Sequence, residues 1–266
     1  MQHGFDTIAE TYDARFTRSR IGSAQRELVW SYLRTILPDH SRMNILELAC
    51  GTGEDALWFA RRGHRVTATD ASQGMLDVAA KKLAAEEFRP AVELRRLPAE
   101  DILPARTGAP YDLVFSNFGG LNCLSPSSLT RLAPDLRSLL KPGGRLVVVV
   151  MPRCCAWETL YFLLKGDPSS AFRRSSSGGM TAHLGDGEVT TWYHSPGSLA
   201  ALLGSAFRLT VRRPVGFFIP PSYLEPFIAT KPRLLRALAS MDRAVSGWPF
   251  LASASDHALL DLEVRP

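Results

Sequence analysis

Asn44-Ile45-Leu46-Glu47-Leu48-Ala49-Cys50-Gly51-Thr52-Gly53-Glu54-Asp55 decides how this chain of 266 residues is read. An apolar run ending at Ala49 breaks at a glycine-rich turn and feeds a helix that begins near Glu54. Asp70 stands 19 residues beyond Gly51, at the end of the next apolar run. Strand, glycine turn, helix, second strand and terminal carboxylate form the layout of a nucleotide-binding βαβ unit. Gly51 and Gly53 let the backbone turn tightly and let a ligand approach where a Cβ would stand. Asp70 offers a carboxylate to ribose hydroxyls.

Gly-x-Gly-x-x-Ala (Gly51, Gly53, Ala56) also suits nicotinamide and flavin sites, so neighbouring charge has to decide. A dinucleotide pyrophosphate needs the bare positive N-terminus of the following helix. Here the first turn carries Glu54 and Asp55, which complement the helix dipole themselves and are expected to repel phosphates. Glu47 adds a third acid four residues before Gly51. An adenosine cofactor without phosphate and with a cationic group fits better. S-adenosylmethionine (SAM), with its sulfonium and zwitterionic amino acid tail, is such a molecule.

Glu47-Leu48-Ala49-Cys50-Gly51-Thr52-Gly53, followed by Val66-Thr67-Ala68-Thr69-Asp70-Ala71-Ser72, resembles motifs I and II of the class I SAM-dependent methyltransferases. Tyr111-Asp112-Leu113-Val114-Phe115-Ser116 and Leu140-Lys141-Pro142-Gly143-Gly144-Arg145-Leu146 are similar to that family's fourth strand and the turn before its fifth. The likeness covers residues 5–151 and looks most like the small-molecule, UbiE or type 11 group. It implies an α/β fold, Rossmann-like, with a seven-stranded mostly parallel sheet and helices on both faces. It also implies SAM as cofactor and methyl transfer to an O, N or C atom of a small-molecule acceptor, of the secondary-metabolite kind among others.

Carried over residue by residue, the resemblance assigns cofactor contacts to Tyr12, Glu47, Ala49, Gly51, Gly53, Asp70, Ala71, Met75, Ala99, Glu100, Asp101, Ser116 and Asn117. Tyr12 belongs to a Tyr-Asp pair in a leader helix that lies over the methionine end, and Met75 to the apolar surface under the adenine. One departure stands out: Pro98 occupies the place where the family often has an Asp that reads the adenine amine. Adenine contacts then fall to the backbone at Ala99 and to Glu100 or Asp101. After strand 4, Asn117-Phe118-Gly119-Gly120-Leu121-Asn122 lacks the two prolines of amino-group DNA methyltransferases. No Pro-Cys pair is present either, which argues against 5-methylcytosine chemistry and for a small molecule.

Composition sets outer bounds. Hydrophobic residues make up 45% and charged ones 21%, ordinary for a globular domain, and no run of 18 apolar residues exists to span a membrane. Met1-Gln2-His3-Gly4-Phe5-Asp6 shows no signal peptide, so a cytoplasmic protein is expected. The net charge of +5 comes from scattered arginines rather than one basic tract with aromatics, so nucleic acid is an unlikely partner. The four cysteines, Cys50, Cys123, Cys154 and Cys155, have no metal-ligand spacing; reduced thiols and no metal are expected. A monomer or homodimer is anticipated.

One domain over 1–266 is expected, with a core of about 23–151, 198–213 and 257–266 and a cap of 1–22, 152–197 and 214–256. Phe5, Ile8, Tyr12 and Phe16 have helical spacing. The second helix is expected to stop at Pro38, and residues flanking Gly185-Asp186-Gly187 to pair as a hairpin. Insertions after strand 5 and before the last strand fall beyond the carboxyl ends of the strands, where ligands bind in open α/β sheets, so a helical and hairpin cap over the crevice is expected.

The aromatic content of these insertions marks Trp157, Tyr161, Tyr193 and Tyr223, with Phe118 and Asn122, as an acceptor pocket. The same aromatics would also suit a dimer interface. His183 and His194 are candidates for a general base, needed only if the acceptor keeps its proton at neutral pH; either also reads as a structural histidine. A SAM-binding protein without methyl transfer, cyclase-like or regulatory, and a nicotinamide-dependent oxidoreductase are the readings left open.

Overall fold

In the computed structural model, residues 3–37, 41–176, 178–184 and 187–265 are described. Pro38, the expected hairpin turn at Gly185-Asp186 and the side chain of His183 lie outside them.

The chain opens with helix α1 (His3–Tyr12), a π-helical turn (Asp13–Thr17) and helix α2 (Arg20–Ile36). The βαβ unit follows as β1 (Asn44–Leu48), α3 (Glu54–Ala60) and β2 (Arg65–Asp70), and Gly63 in the α3–β2 connection has φ +85°. Next come α4 (Gln73–Ala84), β3 (Val92–Arg96), a short α5 (Pro104–Thr107) and β4 (Tyr111–Ser116). Ser72 caps α4 by accepting from Met75 N at 3.1 Å, as its Ser-x-x pattern at a helix start requires. Helix α6 (Pro126–Leu139) leads into β5 (Leu140–Val150). The Pro142-Gly143-Gly144 turn expected ahead of this strand sits within it as an irregularity: Leu140 pairs with Tyr111 before the ladder shifts and resumes at Arg145 opposite Leu113.

Beyond β5 the chain adds α7 (Ala156–Leu164), α8 (Pro168–Ala171), the antiparallel hairpin β6 (Met180–Leu184) and β7 (Gly187–Thr191), then α9 (Pro196–Leu202) and β8 (Phe207–Val215). Helices α10 (Glu225–Ile228) and α11 (Pro232–Val245) precede the last strand, β9 (His257–Val264).

Seven strands form one sheet in the order β3-β2-β1-β4-β5-β9-β8. The first five are mutually parallel, and β9 runs antiparallel to both β5 and β8. Both faces are covered, which explains the unbroken apolar run of β5. Leu146, Val148 and Val150 join one buried layer with Leu132 and Leu136 of α6, while Val147 and Val149 join the other with Val29 and Leu33 of α2 and Phe59 of α3. Strand order reverses between β1 and β4, and that switch point places the functional cleft at their carboxyl ends.

Candidate active site

Where β1 ends, the backbone leaves the extended region: Ala49 and Gly51 have φ of 53° and Gly53 has φ of 74°. The two glycines serve different ends. A Cβ built on Gly51 meets nothing within 4 Å and would project into the cleft, whereas one on Gly53 would sit 2.9 Å from Ala79 Cβ of α4. Gly51 therefore keeps space open for a ligand, and Gly53 lets α4 pack close. Asp70, at the tip of β2, accepts from Gly51 N and from Ser72 N, both at 2.8 Å. It fixes the glycine turn and the start of α4 together. Burial raises its pKa while the amides of Ser72 and Gly51 oppose that rise. Each carboxylate oxygen keeps a second lone pair for a ligand hydroxyl.

Glu47 is only 1% exposed, lines the cleft, and its Oε2 has no hydrogen-bond partner. Burial first, and the nearby Asp55 second, push its carboxyl well above the usual carboxylate range. Asp55 itself is buried and engaged on all sides: it pairs with Arg26 and accepts from Trp30 Nε1 at 2.7 Å and Asn117 Nδ2 at 2.9 Å. Glu54 pairs with Lys82 at 2.8 Å, and Lys82 also reaches Asp13 at 2.9 Å. The sequence argument that Glu54 and Asp55 repel phosphate from the α3 N-terminus thus needs correction, because both acids are matched by cations that the linear sequence left far away. The unmatched acid is Glu47.

A lid crosses the open side. Asp6 of α1 accepts from Ser72 Oγ at 2.6 Å and from Gly74 N at 2.8 Å, so it helps to cap α4. Glu10 pairs with Lys81 at 2.7 Å. Thr52 Oγ1 donates to Asp13 at 2.5 Å. Burial pushes the Tyr12 hydroxyl up to about 12, so at neutral pH it is a hydrogen-bond donor. Phe118, with φ of 42°, packs edge-on against Phe16 at 5.1 Å and beneath Arg26 at 4.8 Å. The β6–β7 hairpin lies against the outer side of α1.

Residues 45–144 match the methyltransferase-domain family. Over that stretch the chain is similar to methyltransferase domains. The chain is similar to the demethylmenaquinone methyltransferase of Clavibacter sepedonicus, with 34% identity over 144 residues that cover 54% of this chain and 55% of that one. It spans about half the length of the first curated relatives it matches. Among solved structures it is similar to the DhpI–SAH complex, with a TM-score of 0.61 at 19% identity over 98% of this chain and 94% of that one. It also matches the (4+2) cyclase SpnF, with a TM-score of 0.57 at 20% identity over 90% of this chain and 80% of that one. At such identities the structural likeness speaks for the fold.

The cleft has a cavity volume of about 120 Å³. Of the cofactor residues expected from sequence, Tyr12, Glu47, Ala49, Gly51, Asp70, Ala71, Met75, Ala99, Glu100 and Asn117 line it. Gly53, Asp101 and Ser116 do not: Gly53 packs on α4, and Ser116 lies buried beneath Gly120. Asn117 is held by Asp55 and accepts from Phe118 N at 2.9 Å.

The expected acceptor residues separate. Phe118 lines the cleft; Asn122, Trp157, Tyr161, Tyr193 and Tyr223 do not. Asn122 is fully buried and stitches β5 to the segment after β7, accepting from Met151 N at 2.8 Å and donating to Trp192 O at 2.6 Å. Trp157 donates to Phe218 O at 3.0 Å, and Tyr161 packs on Tyr223 at 5.3 Å. His194 is buried away from the cleft with Nε2 3.3 Å from Leu124 O, and burial lowers its pKa. Residues that sequence reasoning missed, Phe5, Thr17, Arg26, Cys123 and Leu124, also line the cleft. Arg26 carried a signal: with Val29 and Leu33 it falls on the apolar stripe of α2, and a cation there needs a buried partner.

Proposed function

We propose that this protein transfers the methyl group of SAM to a small-molecule acceptor. The observation that carries this reading is Glu47: a buried carboxylate oxygen without a partner, facing the cleft beside the open Gly51. Such an orphan acceptor is costly unless a donor arrives, and a cationic cofactor tail brings one, whereas a pyrophosphate brings only more negative charge. Arg26, also on the cleft, retains an Nε without a hydrogen-bond partner. Glu47 and Arg26 together suit the ammonium and carboxylate of a zwitterion. Asp70 suits the ribose diol, and Met75, Leu97 and Ala99 the adenine faces.

SAM, when bound, supplies a methyl group already activated on a sulfonium. The chain's own part is to orient, to exclude water and to hold charge. Phe5, Phe118 and Leu124 offer an apolar wall to the acceptor, with Tyr12 as donor. No described histidine side chain lines the cleft. In this reading the whole chain is a single domain, its core near 23–151, 198–213 and 257–266, working in the cytoplasm. Residues 152–197 and 214–256 act as buttresses: the hairpin backs α1, and Glu225 caps α2 by accepting from Arg20 N at 2.8 Å and Ile21 N at 2.9 Å.

Incubating the protein with methyl-labelled SAM and metabolite extract, then searching for labelled products by mass spectrometry, tests this directly. A labelled small molecule formed in proportion to enzyme is expected. Tight SAM binding with no labelled product from any extract fraction would instead favour a SAM-binding protein of another activity.

A further inference from the structure

Between residues 217 and 255 the acids and the bases point in opposite directions. The segment holds two acids, Glu225 and Asp242, and four bases, Lys231, Arg233, Arg236 and Arg243. Glu225 is spent on the amides that open α2. Asp242 is 1% exposed and accepts from the backbone amides of Phe217, Phe218 and Ile219 at 2.8–3.0 Å. All four bases are exposed.

The exposed apolar side chains of the same segment accompany those cations. On α11, Leu234 and Met241 are exposed and lie seven residues apart, so they run along one side of the outer helix face. Arg236 and Arg243, at the same spacing, run along the other, with Arg233 and the small residues Ala237, Ser240 and Ala244 between. Aromatic groups mark both ends. Phe227 is 56% exposed with Lys231 Nζ 3.5 Å over its ring, and Trp248 and Phe250, 53% and 63% exposed, stack at 5.8 Å. A helix of 14 residues spans about 21 Å between those ends.

We propose that this face docks the protein onto an anionic lipid bilayer, with α11 lying in the plane of the headgroups. Arginines then meet lipid phosphates, while Leu234, Met241, Phe227, Trp248 and Phe250 enter the boundary of the acyl region. Charge complementarity selects this occupant. A second copy of the same face would bring like charges together, and a polynucleotide would satisfy the arginines but leave Leu234 and Met241 without an apolar medium. Docking of this kind is peripheral, in keeping with the lack, among the described residues, of a helix long and apolar enough to cross a membrane. It does not depend on what the cleft binds.

The test is co-sedimentation of the full chain with vesicles of phosphatidylcholine alone and of phosphatidylcholine with phosphatidylglycerol. Binding to the anionic vesicles alone is expected, weakening as salt is raised. Arg236→Gln with Arg243→Gln should weaken partitioning about thirtyfold, from the usual contribution of each basic residue near a charged bilayer. Trp248→Ser with Phe250→Ser should weaken it at every salt concentration. Thermal unfolding, expected unchanged in both double variants, confirms that they remain folded. Equal binding to both vesicle types, no binding to either, a single-stranded polynucleotide that displaces the protein from vesicles, or self-association abolished by the same variants would each overturn the proposal.

Discussion

Along β1, β2 and β4 the wall of the cleft is made by backbone: three left-handed positions at every second residue, Ala49, Gly51 and Gly53, held by Asp70 through Gly51 N. Across from it, residues 5–26 make a wall out of side chains whose partners are distant in sequence. Asp6 reaches Ser72 and Gly74, Asp13 reaches Thr52 and Lys82, and Arg26 reaches Asp55. Backbone conformation is dictated locally, by which residues tolerate a positive φ and which strands must be buried. Side-chain pairing is decided only when the sheet has brought the partners together. The first wall therefore resists small changes poorly and fails in ligand binding, whereas the second fails gradually.

The largest expected effect lies on the backbone wall. Gly51→Val places a branched side chain in the cleft and should lower SAM affinity at least about 100-fold, with about 1–3 kcal/mol of strain from the left-handed position. Gly53→Ala meets Ala79 at 2.9 Å and should act first on stability, seen in thermal unfolding, with ligand affinity following only as the turn shifts. If the two glycines behaved alike in calorimetry, the division between ligand space and packing space would fail. Asp70→Ala comes next: loss of charged hydrogen bonds to ribose, each about 1.5–3 kcal/mol, accompanied by a lower melting temperature because Gly51 N and Ser72 N lose their acceptor. Unchanged SAM affinity would remove Asp70 from the site.

Glu47 gives a signature in pH. Its folded pKa stands well above the ordinary 4.5 because of burial and then Asp55, so above about 4.5 the folded protein holds a proton that the unfolded chain has released. The sign follows: Glu47 contributes a loss of stability as pH rises from 4.5 toward its folded value. A cationic ligand favours the ionised form, so SAM binding should expel this proton and tighten with rising pH across that window. Titration in buffers of different ionisation enthalpy should show proton release that Glu47→Gln abolishes; release that persists in the variant would place the proton elsewhere. The smallest effect belongs to the buttress. Trp157→Phe loses one hydrogen bond to Phe218 O, about 1 kcal/mol of stability, and should leave SAM affinity and turnover as they were.

The contrast also explains what was legible in the sequence. The β1 turn, Asp70 and the sevenfold sheet could be read because glycine spacing, a capping Ser72 and an apolar β5 are local signals. Trp157, Tyr161 and Tyr223 were misleading for a physical reason: aromatic composition reports burial or contact without saying against what, and here these rings pack on one another and on residues 217–224. Asn122, read as a polar group for the acceptor, is consumed by Met151 and Trp192. Arg26 went unread because its partner Asp55 lies 29 residues away, a pairing that only the packed α2 reveals.

The most direct measurement is a calorimetric titration of the unmodified chain at pH 7 with SAM and, separately, with NADH. The account predicts one SAM site per chain with a micromolar dissociation constant, about −8 kcal/mol, and no heat from NADH. Saturable binding of NADH with none of SAM would contradict it, and would turn the cleft of Glu47 and Gly51 into a site for a different nucleotide.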